Sequence, residues 1–67
     1  MTLNKTGLFI IRAWVETGSD KPLRAHIRVT TDVAAGFERE GTLTEFKDVC
    51  AEVETWLQDV LAVEQPL

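Results

Sequence analysis

Two stretches of alternating apolar and polar residues flank a turn in the first half of the chain. Residues 8–16 are rich in types that favour strands, and the odd positions from Phe9 to Val15 are all apolar. Residues 23–33 begin with the same alternation, and the intervening residues 17–22 are mostly turn formers. A period of two on both sides of a turn predicts an antiparallel β-hairpin, 8–16 with 23–33, that buries one of its faces.

The apolar positions also limit how the two strands of this hairpin pair. A slip of one residue would put their apolar sets on opposite faces of the sheet, so the odd positions of both strands must share a face. The favoured register sets Val15 opposite Leu23 and Phe9 opposite Val29. A shift by two residues preserves the faces and stays open as an alternative.

The segment after the hairpin has a less regular pattern. Ala35 and Gly36 favour a turn, and residues 37–40 predict a short third strand at the edge of the sheet. The charges of this segment suit an edge strand, because charged side chains discourage pairing with other chains. The alternative is an ordered loop that crosses to the next element.

A long amphipathic helix is predicted over residues 43–62. Thr42 and Glu45 match a capping box with Thr42 as the N-cap, and apolar residues then recur at spacings of three and four. They cover a stripe of about 140° around the helix, which is wide enough to pack on a sheet. The apolar residues are Phe46, Val49, Cys50, Val53, Trp56, Leu57, Val60 and Leu61.

Together these elements predict a single α+β domain spanning residues 1–67, in which a two- or three-stranded antiparallel sheet packs on one C-terminal helix. Residues 1–6 and 63–67 are expected to be frayed ends. On the sheet side, the predicted core contains Phe9, Ile11, Val15, Leu23, Ile27 and Val29. On the helix side, it contains Phe46, Val49, Cys50, Val53, Leu57 and Val60.

The chain resembles a class of small bacterial proteins built from a hairpin, a short third strand and a C-terminal helix. The resemblance lies in the hydrophobic pattern of residues 9–16 and 23–27, in the turn residue Gly36, and in residues 43–46, which open the helix. It implies the same fold. Because no activity is established for that class, the resemblance assigns no functional residue.

The composition excludes several classes of protein. With 67 residues and a single cysteine, the chain is too short for two domains or a dinucleotide-binding fold, and it has no internal disulfide. Its longest apolar run, residues 8–11, is far shorter than the roughly 20 residues of a membrane span. We therefore expect a cytoplasmic protein without membrane contact, and the lone Cys50 agrees with a reducing compartment.

The net charge of −4 conceals an uneven distribution. Residues 1–30 carry five basic and two acidic side chains, a net charge of +3, whereas residues 31–67 carry two and nine, a net charge of −7. In the predicted fold, the negative half forms an acidic stripe along the helix. The stripe is either a solvated surface or, since neighbouring like charges repel, a surface for a basic partner or a second copy. It consists of Glu45, Asp48, Glu52 and Asp59.

No motif of the chain predicts catalysis. Cys50 and His26 are the only nucleophile–base pair that the composition permits. The pattern places them on opposite sides of the sheet, because Cys50 belongs to the apolar stripe of the helix and His26 is at an outward-facing position of its strand. The glycines match neither a P-loop nor a dinucleotide fingerprint. We therefore expect no enzyme activity, no cofactor and no metal site.

The outward-facing side of the hairpin is the predicted interaction face, which we call the outer face. It consists of Leu8, Ile10, Arg12, Trp14, Arg24, His26 and Arg28. Trp and Arg are enriched at protein interfaces, so the expected partner is a second copy, giving a homodimer, or another protein. Arginines beside an aromatic ring also suit nucleic acid, which is the alternative partner, although the acidic chain argues against it. A plain solvated sheet face is the remaining interpretation.

Overall fold

The computed structural model describes residues 5–64 and contains a three-stranded antiparallel sheet followed by one helix. The strands follow one another across the sheet in the order β1-β2-β3. This arrangement confirms the predicted α+β fold. The elements are β1 (Leu8–Val15), β2 (Leu23–Thr30), a short 3₁₀ turn (Val33–Ala35), β3 (Arg39–Leu43) and α1 (Phe46–Glu64). Of the predicted frayed ends, residues 1–4 and 65–67 lie outside the described residues.

The hairpin pairs in the favoured register. Val15 lies opposite Leu23 and Phe9 opposite Val29, which removes the alternative shifted by two residues. The Glu16 N–H donates to the Pro22 carbonyl at 2.7 Å and closes the ladder at the turn. The paired strands therefore present their odd residues on one face and their even residues on the other.

The second strand ends earlier than predicted, at Thr30 instead of residue 33. Asp32 then caps the 3₁₀ turn, because its side-chain oxygen accepts a hydrogen bond from the Ala34 N–H at 3.1 Å. Gly36 follows with a φ of 86°, a left-handed conformation that suits glycine. This turn redirects the chain so that β3 can pair with the free edge of β2.

The third strand and the helix both begin later than the pattern indicated. The strand runs over Arg39–Leu43 instead of residues 37–40, and the helix begins at Phe46 instead of residue 43. The predicted capping box is wrong, because Thr42 belongs to β3 and its hydroxyl oxygen lies 3.3 Å from His26 Nδ1. Pairing with β2 satisfies more backbone groups of this segment than the open first turn of a helix could.

The helix side of the sheet holds the core, which is concentrated on the central strand. Ala25, Ile27 and Val29 of β2 are each 3% exposed, and they are the buried apolar residues within the described part of the chain. The indole of Trp56 anchors α1 above this strand. Its N–H donates to the Thr30 carbonyl at 2.9 Å, and its ring lies 5.4 Å from that of Phe9.

Several residues predicted as core are instead exposed. On β1, Ile11 is 47% and Val15 71% exposed. On α1, Phe46 is 78% and Leu57 49% exposed, and Cys50 is exposed as well. The reason is geometric, since a helix about 10 Å across covers about two strands spaced 4.8 Å apart. An ion pair between Arg39 of β3 and α1 holds the helix toward the β3 side.

Candidate interaction surfaces

The strand pairing brings the seven residues of the outer face together on one side of the sheet. Trp14 lies beside Arg24, Arg12 beside His26, and Ile10 beside Arg28 across the β1–β2 ladder. Two residues of β3 extend this face, because Glu40 pairs with Arg28 and Thr42 with His26. The sequence pattern included Glu40 in the predicted third strand without assigning it to the outer face, and it missed Thr42 because the predicted strand ended at residue 40.

Two arginines of the outer face cover aromatic rings. The Arg12 guanidinium lies 5.3 Å from the centre of the Trp14 ring, and the Arg28 guanidinium lies 4.2 Å from that of Phe37. Each contact is a cation–π interaction, which attracts the guanidinium to the face of the ring. The Trp14 indole also donates to a Glu16 carboxylate oxygen at 3.1 Å. Trp14 is therefore already engaged on one ring face and at its polar edge.

A shallow depression of about 340 Å³ lies near the middle of the outer face. Its residues are Ile10, Arg12, His26, Arg28 and Glu40. His26 Nε2 lies 3.1 Å from a Glu40 carboxylate oxygen, so the depression contains an acidic group as well as basic ones. Among the described residues, no carboxylate forms an ion pair with Arg12 or Arg28, which leaves two guanidinium groups available to a ligand.

Arg24 has a different role from the other arginines of the outer face. Its guanidinium donates to the Leu23 carbonyl at 3.0 Å and also to the Lys21 carbonyl. Arg24 is half-buried, so these bonds hold its side chain back over the turn that precedes β2. Its charge therefore reinforces the hairpin and contributes less to the exposed basic surface.

The acidic stripe of the helix is largely neutralised within the chain. Arg39 contacts Glu52 at 2.9 Å and Asp59 at 4.0 Å, and Lys21 contacts Glu45 at 3.4 Å. Glu52 and Asp59 lie on the flank of α1 that faces β3, whereas Glu45 immediately precedes the helix and contacts the hairpin turn. The stripe therefore fits an intramolecular role, fixing the helix over the sheet, better than it fits a docking surface for a basic partner.

The opposite flank of α1 is apolar and faces the side of the uncovered β1. On a helix, the positions of Phe46 and Leu57 lie about 100–180° from those of Glu52 and Asp59. Beside this flank, Ile11, Ala13 and Val15 on the helix side of β1 are exposed as well, whereas Phe9 is half-buried against Trp56. We call this combined surface the open strip. It consists of Ile11, Ala13, Val15, Phe46, Cys50, Leu57 and Leu61.

Sequence reasoning missed the open strip because it assigned most of these residues to the core. The hydrophobic pattern identifies which side chains avoid water, and it does so without distinguishing burial within a chain from burial against another chain. The width of the helix stripe gave no signal either, because about 140° is within the range of a stripe that packs on a sheet.

The residues considered for catalysis do not meet. Both ring nitrogens of His26 contact β3 side chains on the outer face, whereas Cys50 lies on the helix on the other side of the sheet. Within residues 5–64, no group of histidine, cysteine and acidic side chains is arranged to hold a metal ion. No helix in this part of the chain is long and apolar enough to cross a membrane.

Comparison of the chain with known protein-family models, with curated proteins and with solved structures finds no match. The function is therefore inferred from the two surfaces described above. The outer face is charged and contains only a shallow depression. Some of its polar side chains already pair with each other, as His26 does with Glu40. The open strip is apolar, and its residues on β1 and on the neighbouring flank of α1 are exposed.

Proposed function

We propose that this protein is a non-enzymatic interaction module that associates with a second copy of itself through the open strip. The observation that supports the proposal is the exposure of five large apolar side chains on one side of a chain that buries few. They are Ile11, Val15, Phe46, Leu57 and Leu61, each 47% exposed or more. Contiguous apolar surfaces of this kind mark interaction sites in folded proteins.

The area of the open strip suits a specific interface. Its large side chains leave on the order of 500 Å² uncovered per copy, so a symmetric pair would bury on the order of 1,000 Å². That value reaches the lower limit for specific protein interfaces. The same burial would complete the core, because domains of about 60 residues bury little apolar surface by themselves.

The chemistry of the open strip favours a second copy over an unrelated charged partner. A two-fold interface brings the same patch of both copies together, so a charged group in it faces a group of the same charge. The strip contains no Asp, Glu, Lys or Arg. Apolar residues can face their own copies without repulsion, whereas the outer face would bring two Arg12 and two Arg28 groups together.

The proposal is tested by placing a charge on the open strip. Phe46→Asp and Leu57→Asp should each convert a dimer of about 15 kDa, twice the 7.5 kDa of the chain, into a monomer. Light scattering after gel filtration measures these masses at about 100 µM protein. Phe46 is the first helical residue, where an acidic group is favourable, so its replacement should leave α1 intact.

Thr55→Asp provides the matched control. Thr55 is exposed on α1 and lies about 160° around the helix from Leu57, so the same acidic group there should leave the dimer unchanged. Circular dichroism establishes that all three variants are folded. A wild-type mass equal to that of one chain at this concentration would contradict the proposal. Open-strip variants that dimerise to the same extent as Thr55→Asp would contradict it too.

A second candidate function is binding of single-stranded nucleic acid by the outer face. Its support is the pair of guanidinium groups, Arg12 and Arg28, that lack a carboxylate partner among the described residues and lie on aromatic rings. Fluorescence anisotropy with labelled single-stranded RNA and DNA at low salt tests it. Binding should weaken as salt rises and in Arg12→Ala, and the absence of any signal would dispose of it.

The proposed location is the cytoplasm. The support is the free thiol of Cys50, which lies exposed on the helix and would be preserved in a reducing compartment.

A further inference from the structure

We propose that β1 pairs with β1 of a second copy, antiparallel and centred on Ile11, so that two sheets join into one of six strands. This inference rests on the proposed self-association and specifies its geometry. The starting observation is the free edge of β1. In the sheet order β1-β2-β3, the described residues supply a partner strand on one side of β1 only.

The free edge of β1 has few of the features that discourage pairing. The strand is eight residues long, it pairs with β2 without a bulge, and Arg12 is its one charged residue. Natural edge strands are usually shortened, bulged or interrupted by proline and charge. An apolar strand of this length, with its backbone groups unpaired, is a template for a further strand.

The hairpin contacts define which backbone groups point to the free edge. The Glu16 N–H donates to Pro22, so the even residues of β1 direct their backbone groups toward β2. Backbone groups alternate along a strand, so the N–H and C=O of Phe9, Ile11 and Ala13 point away from β2. Ile11 and Ala13 also belong to the open strip, so edge pairing and strip burial involve the same residues.

These directions limit the register of the pair. Both copies must place their odd residues on the same side of the joined sheet, so each odd residue must face an odd residue. Centring on Ile11 sets Ile11 opposite Ile11 and Phe9 opposite Ala13, and each pair can exchange both backbone hydrogen bonds. Of the two neighbouring registers, the one centred on Ile10 pairs only residues 8–12 of β1 with each other. The one centred on Arg12 pairs residues 9–15 but sets two like charges directly opposite each other, which is destabilising.

The Ile11-centred pair also brings the two open strips together. Val15 would lie opposite Gly7 of the second copy, and Gly7 lies beneath the C-terminal half of the helix, next to Val60. Phe46, at the N-terminal end of each open strip, would therefore lie across from Leu61, at the C-terminal end of the other strip. The two helices would flank one apolar band, which explains why each leaves the flank toward β1 uncovered.

Cysteine cross-linking tests the register. In a Cys50→Ala background, Ile11→Cys should form a covalent dimer on mild oxidation at least about tenfold faster than Val15→Cys. Two Ile11 Cα atoms in a hydrogen-bonded antiparallel pair would be ~5.5 Å apart, within the range of a disulfide. Two Val15 residues would be eight positions out of register, or about 27 Å apart at 3.4 Å per residue. Arg12→Cys reports on the competing register.

The outcomes separate this inference from the proposed function. Fastest cross-linking by Arg12→Cys would overturn the Ile11-centred register. A dimer by light scattering in which none of the three variants cross-links, or all do so equally, would overturn edge pairing while leaving self-association intact. A wild-type chain that stays monomeric would overturn both.

Hydrogen exchange on the unmodified chain gives a second readout that does not depend on any variant folding. The amides of Phe9, Ile11 and Ala13 should exchange at least about tenfold more slowly at a concentration where the chain is dimeric than where it is monomeric. Even-numbered amides of β1 already point toward β2 and serve as internal references. Odd-numbered amides that exchange equally fast in both states would overturn the pairing.

Discussion

Gly7, which immediately precedes β1, lies in close contact with the helix. A Cβ atom at this position would lie 2.9 Å from Val60 Cγ2, 3.1 Å from the Thr30 carbonyl oxygen and 3.3 Å from Trp56 Nε1. These are the groups that seat the C-terminal half of α1 on the sheet. Glycine is therefore required here for space, whereas its φ is ordinary.

Replacing Gly7 by alanine should lower the free energy of unfolding by about 1–3 kcal/mol, the usual cost of forcing an extra methyl group into a packed site. Gly41→Ala is the matched control, because a Cβ there meets nothing within 4 Å. It should leave stability unchanged or raise it by about 0.4–1 kcal/mol. Urea unfolding measures both changes, and equal effects at the two positions would contradict the packing described for Gly7.

Ile27 tests the core in the same way. It is 3% exposed at the centre of the sheet, so Ile27→Ala should cost about 2–4 kcal/mol of unfolding free energy. Ile10→Ala removes the same atoms from a side chain that is 40% exposed, and it should cost far less. A loss below about 0.5 kcal/mol for Ile27→Ala in chemical denaturation would show that the core lies elsewhere.

At the scale of elements, the position of α1 over the sheet depends on its contacts with β3. Arg39 and Glu52 should couple by about 0.5–1 kcal/mol in a double-mutant cycle of Arg39→Gln and Glu52→Gln at low salt. The coupling should shrink in 1 M NaCl, because the pair is partly exposed. Glu54→Gln, on the exposed side of the same helix, is the control and should show no coupling with Arg39.

The hairpin could be predicted from the sequence in detail because two independent signals agree there. The turn residues indicate where the strands reverse, and the parity of the apolar positions from Phe9 to Val29 fixes which residues share a face, which left only a shift by two residues open. The start of the helix could not be predicted this way. Residues 42–45 fit a helix cap equally well by sequence, and the pairing of Thr42 and Leu43 with β2, a contact distant along the chain, decided otherwise.

The open strip was beyond prediction for a related reason. Which two strands a single helix covers depends on where β3 joins the sheet, and β3 joins at β2, away from β1. The pattern marked Ile11, Val15 and Leu57 correctly as apolar. It contained no information on whether the surface that buries them belongs to the same chain.

For the whole molecule, the three-dimensional arrangement changes the meaning of the charge distribution. The sequence divides into a basic half and an acidic half, which suggested docking through charge. In the fold, Arg39 and Lys21 neutralise much of the acidic stripe, and Arg24 serves the hairpin turn. The surface without partners in the described residues that we weigh most is therefore the apolar open strip, and this is the reason that we place self-association before charge-driven binding.

If a second copy completes the core, folding and association must be coupled. The midpoint of urea unfolding should then depend on protein concentration, because a folded dimer unfolds to two chains. Between about 1 and 100 µM, the apparent stability should rise by about 2.7 kcal/mol, which shifts the midpoint by roughly 1 M urea. A midpoint that is independent of concentration over this range, in a chain that unfolds cooperatively, would contradict the proposal that the open strip is buried by a second copy.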